Sequence, residues 1–126
     1  RYGHESVSVL GRYLLCIGGK AADESLEDAK VGGSTDVLDT ATGHWVSLPC
    51  QLQHPRAYFG SAVVGNTVIV CGGSALGPCA PSEGRIGSTE VLDVSELQKL
   101  FEGSEHGFCW HRGPELLFPR YDFSLA

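Results

Sequence analysis

Cysteine and histidine side chains lie close together in sequence at two places, and both are ligands that zinc prefers. Cys50 is followed by His54, and the second group is His106-x-x-Cys109-x-His111. In a strand, residues 109 and 111 would point to the same face while His106 would lie in the preceding turn, and no second pair has metal spacing. We therefore expect no metal site and no cofactor.

The chain also contains fragments of two enzyme motifs, and neither fragment is complete. Gly18-Gly19-Lys20 is similar to the end of a phosphate-binding loop, but that loop needs Gly-Lys followed by Ser or Thr, and here Ala21 follows. Serine, histidine and aspartate are all present, but no Gly-x-Ser-x-Gly motif marks a nucleophile. We expect no catalytic residue and no enzyme activity on this chain.

The strongest pattern in the chain is an internal repeat. The run Leu14–Gly19 returns as Val68–Gly73, and at the same distance after each run stands Ser34–Asp39 or its near-copy Ser88–Asp93. A tryptophan follows each copy, and a third copy begins near Pro119. A period of roughly 50 residues is typical of solenoid or propeller arrays.

Each repeat unit is expected to supply four short strands. Residues 4–10 alternate polar and apolar, Gly11-Arg12 turns the chain, and 13–17 form an apolar strand that the glycine pair closes. The third strands are predicted at 35–39 and 89–93, and the fourth strands around the two tryptophans. The glycines are expected where the backbone bends or meets another segment too closely for a Cβ atom.

The second unit carries an insertion before its tryptophan. Ser95 with Gln98 predicts a capping box, and Leu97, Leu100 and Phe101 share one face of a predicted helix over 96–102 that stops at Gly103. We expect this apolar face to cover the core of its own unit.

The repeat resembles the kelch repeat, and the resemblance covers the whole chain. Leu38 and Leu92 stand where kelch units usually have tyrosine. The residues that carry the resemblance are Arg1, Gly18, Gly19, Val37-Leu38-Asp39 and Trp45 in the first unit, and Arg56, Gly72, Gly73, Val91-Leu92-Asp93 and Trp110 in the second.

The resemblance implies an all-β fold, namely a segment of a closed β-propeller of about five to seven four-stranded antiparallel blades. The first blade would span 1–55, and the second 56–119 with a helical insertion near 95–103. A third would begin at 120–126. The glycine pairs would be structural, and Trp45 and Trp110 would be wedges between neighbouring blades.

Two blades cannot close a ring, so the remaining blades are expected from the same longer chain or from self-association. The resemblance favours a scaffold that binds another protein through the loops at 20–33 and 74–87. The contact residues expected there are Lys20, Asp23, Glu24, Glu83 and Arg85. Two alternatives remain: a propeller enzyme that oxidises a carbohydrate or alcohol with catalytic residues on other blades, and a regulatory propeller attached to a kinase, phosphatase or ubiquitin-ligase subunit.

Composition narrows the partners and the compartment. The net charge of −6 argues against nucleic acid or an anionic membrane as partner. Cys16 and Cys71 are expected at equivalent positions of two buried second strands, where a thiol behaves as a small hydrophobic group. We expect reduced thiols and an intracellular, cytoplasmic location, while the arrangement of Cys50, Cys79 and Cys109 stays open.

Overall fold

The structure is a computed structural model that describes residues 3–20, 31–74, 86–104 and 108–114. Two four-stranded antiparallel sheets account for about half of these residues, and in each sheet the strands follow one another in chain order. The first sheet contains β1 (Glu5–Val9), β2 (Tyr13–Lys20), β3 (Val31–Asp39) and β4 (His44–Ser47). The second contains β5 (Gly60–Val64), β6 (Thr67–Cys71), β7 (Thr89–Asp93) and β8 (His111–Arg112). The all-β prediction is confirmed.

Residues at corresponding positions of the two sequence repeats have the same strand pairing. In the first sheet Leu14 lies opposite Leu38, and in the second sheet the matching residues Val68 and Leu92 lie opposite each other. Each pair joins the second strand of its sheet to the third. The two units therefore fold as the same four-stranded meander, β1 to β4 in the first and β5 to β8 in the second.

The opening hairpins of the two sheets differ by one residue. β1 and β2 are joined by three residues, of which Leu10 and Gly11 have positive φ values of 55° and 63°. β5 and β6 are joined by Gly65-Asn66, and of these two only Gly65, at φ 58°, has a positive φ. A positive φ at the first position alone is the pattern of a type II′ hairpin turn.

The glycine pairs behave as predicted in conformation but not fully in position. All four glycines have positive φ, and a Cβ atom on Gly73 would lie 2.8 Å from the Ala57 carbonyl oxygen. The expectation that the pair closes the second strand is met by β6, which ends at Cys71. It is wrong for β2, which continues through a bulge at the glycines to Lys20 because β3 begins early, at Val31, and pairs with it.

A helix forms in the insertion, but its capping differs from the prediction. The helix α1 spans Leu97–Phe101, and its N-cap is Glu96, which makes no side-chain capping hydrogen bond. Ser95 is not the cap, because its backbone N–H donates to Asp93 Oδ1 at 2.9 Å in a turn that precedes the helix. Gly103, at φ 95°, follows the last turn as expected.

The main core lies between the two sheets, and the helix contributes to it. Leu97 and Leu100 are buried in this core, and the ring of Phe101 stacks on Tyr13 of the first sheet with centroids 5.7 Å apart. The insertion therefore packs across onto the neighbouring unit as well as on its own. The buried residues that the two sheets supply to the core are Val9, Tyr13, Leu15, Ile17 and Val37 from the first sheet, and Val68, Val70 and Leu92 from the second.

The cysteines divide into two groups. Cys71 and Cys16 remain thiols, as expected, but Cys71 is buried whereas Cys16 is half-buried and matches Val70 in the other sheet. Burial raises the pKa of the Cys71 thiol. Cys50 and Cys109, whose arrangement the sequence leaves open, form a disulfide across a sequence separation of 59 residues. Sequence alone does not pair them, because Cys50 follows the first sheet, Cys109 belongs to the second unit, and the two meet only where the sheets pack together.

Within the described residues, no helix has the length and apolar character needed to cross a membrane.

Candidate functional site

The two tryptophans occupy matching places in the two sheets but lie in different environments. Trp45 in β4 lies opposite Leu38, and Trp110 immediately precedes His111, which lies opposite Val91. Trp110 is 2 % exposed and Trp45 is 54 % exposed. The wedge that we expected at both positions is therefore present as a buried side chain only at Trp110.

We call the side of each sheet that carries the tryptophan its tryptophan face, and the other side its opposite face. Strand pairing and side-chain alternation assign each residue to one of the two. The tryptophan faces are Leu14, Leu38 and Trp45 in the first sheet, and Val68, Leu92 and Trp110 in the second. The opposite faces are Leu15, Thr35 and Val37 in the first sheet, and Ile69, Thr89 and Val91 in the second.

The second sheet packs its tryptophan face against the opposite face of the first sheet. Trp110 donates its Nε1–H to Thr35 Oγ1 at 3.2 Å, so the ring is fixed by a hydrogen bond across the interface. Leu15 and Val37 are fully buried beneath it, in the same core as Leu92. Burying a large aromatic ring together with its N–H partner both stabilises this contact and fixes its geometry.

The tryptophan face of the first sheet is open. Leu14 and Leu38 are only half-buried, and Trp45 borders a shallow depression that is also lined by His4, Cys16 and Asp36. The Asp36 carboxylate accepts a hydrogen bond from Ser47 Oγ at 2.6 Å. This surface combines an exposed indole with aliphatic side chains and a few polar groups, a composition suited to binding another protein surface.

A second group of residues forms a buried ionic network at the start of the second unit. Arg56 is fully buried and pairs with Glu90 through a 2.7 Å contact between Nη2 and Oε2. Its Nη1 donates to the carbonyl oxygens of Gly72 and Ser88, both at 2.9 Å. Burial lowers the pKa of the Arg56 guanidinium, and the charge of Glu90 opposes that effect. We call the segment between β4 and β5, residues 48–59, the link. The network holds the link against β7.

The carboxylate of Glu90 also fixes the backbone of the link. It accepts the N–H of Gln53 at 2.6 Å and that of His54 at 3.2 Å. The sequence pattern marks Arg56 as part of the repeat but does not mark Glu90 as its partner. The available signal was a carboxylate directly before the Val91-Leu92 pair, at the position that Asp36 holds in the first unit.

The network brings one serine and one histidine together, and its geometry indicates a structural role. His54 Nδ1 lies 3.1 Å from Ser88 Oγ, and Arg56 Nη2 donates to the same oxygen at 2.9 Å. Ser88 is 5 % exposed and its oxygen is held by a guanidinium, whereas a catalytic serine must present its oxygen to a substrate. The pair is best explained as part of the hydrogen bonding that holds the link.

A further ion pair lies at the hairpin end of the first sheet. Arg12 contacts Asp39 with two hydrogen bonds, Nε to Oδ1 at 2.7 Å and Nη2 to Oδ2 at 2.8 Å. The hydrogen bond from Arg12 lowers the pKa of the Asp39 carboxyl from 3.8 to about 2. The pair joins the β1–β2 hairpin to the end of β3.

Most of the predicted contact residues lie outside the described residues. Asp23, Glu24, Glu83 and Arg85 all fall there, and Lys20 is the last residue of β2, where it pairs with Val31. The structure neither brings these residues together nor separates them.

The histidine and cysteine group does not form a metal site in the described part of the chain. Cys109 is joined to Cys50, so neither sulfur is a thiolate ligand, and His106 lies outside the described residues. Across residues 3–20, 31–74, 86–104 and 108–114, no three His, Cys, Asp or Glu side chains are placed to hold a metal ion.

No family model matches the chain, and a search of curated proteins finds no significant match.

Proposed function

We propose that this chain is a segment of a kelch-type β-propeller, two blades and the start of a third, that serves as a scaffold for binding another protein. The observation that carries the proposal is the packing of two matching sheets in tandem, tryptophan face on opposite face, with Trp110 buried between them. A repeat unit cannot bury its apolar faces by itself, so such units occur in arrays in which each unit packs against the next.

The contact between the first strands of the two sheets supports a radial arrangement. Tyr58 donates its backbone N–H to the Gly3 carbonyl oxygen at 2.7 Å, and Ser61 hydrogen-bonds the carboxylate of Glu5. These contacts place β1 beside β5. In a propeller the first strands of successive blades lie next to each other around the central axis. The contact between β1 and β5 is consistent with that geometry.

The proposed binding surface consists of the loops that join the second and third strands. Because the two sheets have the same strand order, these loops leave both sheets at corresponding ends. A rigid sheet that presents variable loops is a common basis for binding. We place partner contacts on Lys20, at the end of β2, and on Asp23, Glu24, Glu83 and Arg85 in the two loops.

Site-specific photo-crosslinking tests the proposal. A photoreactive residue at position 24 or 83 is expected to crosslink one discrete protein in extracts of the source cells, and Asp23→Lys is expected to reduce the yield from position 24. The matched control is position 42, in the exposed turn between β3 and β4 at the other end of the first sheet. Equal crosslinking from position 42, or no discrete partner from either loop, would contradict a loop-binding scaffold.

A further inference from the structure

Among the described residues, one sheet face is exposed and another is only partly covered, and these two faces match the two that pack together. The tryptophan face of the first sheet, with Trp45, is exposed, and the opposite face of the second sheet is only partly covered, since Ile69 and Val91 are half-buried. Their counterparts, Trp110 in the second sheet and Leu15 in the first, are buried where the two sheets meet. Within the part of the chain that the structure describes, one interface of this kind is formed and one surface of each type remains.

The formed interface defines what a partner for Trp45 must present. Trp110 donates its N–H to the Thr35 hydroxyl and lies in the same buried core as aliphatic side chains from the two central strands of the first sheet. By analogy, the occupant that fits the Trp45 face is the opposite face of a four-stranded sheet, with aliphatic residues on its two central strands.

The second sheet of this same chain offers such a face. Ile69 and Val91 take the places of Leu15 and Val37, and Thr89 takes the place of Thr35. Thr89 is only 6 % exposed and its hydroxyl donates to the Pro114 carbonyl oxygen at 2.7 Å, so Ile69 and Val91 are the part of this face that another copy can reach. The match holds residue by residue in side-chain class.

We propose that copies of this chain associate head to tail, with the Trp45 face of one copy against the Ile69 and Val91 face of the next. The inference rests on the proposed repeat architecture and adds a partner to it. Because the two surfaces differ, the contact is heterologous and assembles either rings or open chains. Three copies would supply six units, within the roughly four to eight blades that propellers contain.

Sedimentation of the 126-residue chain over a wide concentration range tests this inference. The chain is expected to form assemblies larger than its monomer mass of 13.4 kDa. Trp45→Lys and Val91→Lys are each expected to sediment as monomers, since each variant carries a charge on one of the two surfaces. A mixture of the two variants is expected to form a one-to-one dimer, because each retains the surface that the other lacks.

The matched control is Leu10→Lys, which also replaces an exposed hydrophobic residue with lysine but at a hairpin tip. This variant should assemble like the unmodified chain. If Val91→Lys loses its β-sheet circular dichroism signal, Ile69→Lys takes its place on the same surface. Variants that both assemble normally would overturn the inference, and so would loss of assembly in Trp45→Lys alone, which would indicate a symmetric contact.

Failure of this inference is distinguishable from failure of the proposed function. A chain that stays monomeric at every concentration while Trp110 is shielded from a fluorescence quencher would overturn the head-to-tail contact alone. It would assign the Trp45 face to another occupant, such as a further repeat unit in cis. A Trp110 that is open to the quencher would overturn the tandem packing on which the proposed function depends.

Discussion

Glu90→Gln removes the negative charge from the buried pair and leaves the Arg56 guanidinium uncompensated. The Arg56 side chain is 0 % exposed and that of Glu90 2 % exposed, so water cannot replace the missing charge. Removing one partner of a buried ion pair typically costs about 3–5 kcal/mol. We expect a loss near the lower end, about 3 kcal/mol, because Arg56 keeps the carbonyl oxygens of Gly72 and Ser88 as acceptors.

Urea unfolding followed by circular dichroism measures this loss. The matched control is Glu96→Gln, which removes the same charge from an exposed pair with Lys99 at 3.1 Å. Exposed pairs contribute about 1 kcal/mol or less, so this variant should unfold at nearly the original urea concentration. If Glu90→Gln shifted the transition no more than Glu96→Gln does, the carboxylate would not be compensating a buried charge, and the account of the link would be wrong.

Three further changes test other parts of the structure. Gly73→Val should lower the unfolding free energy by about 1–3 kcal/mol, because the new side chain meets the Ala57 carbonyl at a positive φ. Trp110→Ala should lower it by about 3–5 kcal/mol, since it empties a site in the core. In Arg12→Met the pKa of Asp39, followed by carboxyl NMR, should rise from about 2 toward 3.8. Because the folded-state pKa lies below the ordinary value, the stability that the pair supplies is fully present above about pH 4 and is lost as the pH falls through about 2.

Each of these predictions has a control or an outcome that would contradict it. Gly43 has a positive φ of 78°, but a Cβ atom added there would meet nothing within 4 Å, so Gly43→Val should lose less stability than Gly73→Val. Equal losses would remove the argument from close approach. Trp45→Ala, at an exposed site, should change the unfolding free energy by about 0.5 kcal/mol or less in dilute solution. An unchanged Asp39 pKa in Arg12→Met would show that the guanidinium does not set it.

Local strand structure was predictable because the same strand pattern occurs in both repeat units. The alternation before Gly11, the apolar runs before the glycine pairs and the Val-Leu-Asp segments each form a strand close to the expected place. The glycine conformation was predictable as well, since a doubled glycine after an apolar strand has few other physical explanations. Such features depend on short-range sterics and on side-chain period, both of which are visible in a sequence.

The features that sequence reasoning missed depend on which segments meet in space. Trp45 and Trp110 have the same local sequence pattern but differ in exposure. Within the described residues, the first sheet covers Trp110 and no sheet covers Trp45. Glu90 was not recognised as the partner of Arg56, because the two are brought together by the link between the sheets. The Cys50–Cys109 disulfide likewise joins residues that no local pattern connects.

Quenching of Trp110 fluorescence by acrylamide tests the central claim most directly. The chain contains two tryptophans, so the variant Trp45→Phe keeps Trp110 as its single tryptophan. Tandem packing predicts a blue-shifted emission and strong protection from the quencher in the folded chain, both lost in urea. A red-shifted emission with free quenching under native conditions would show that the second sheet does not pack its tryptophan face on the first, and would contradict the account.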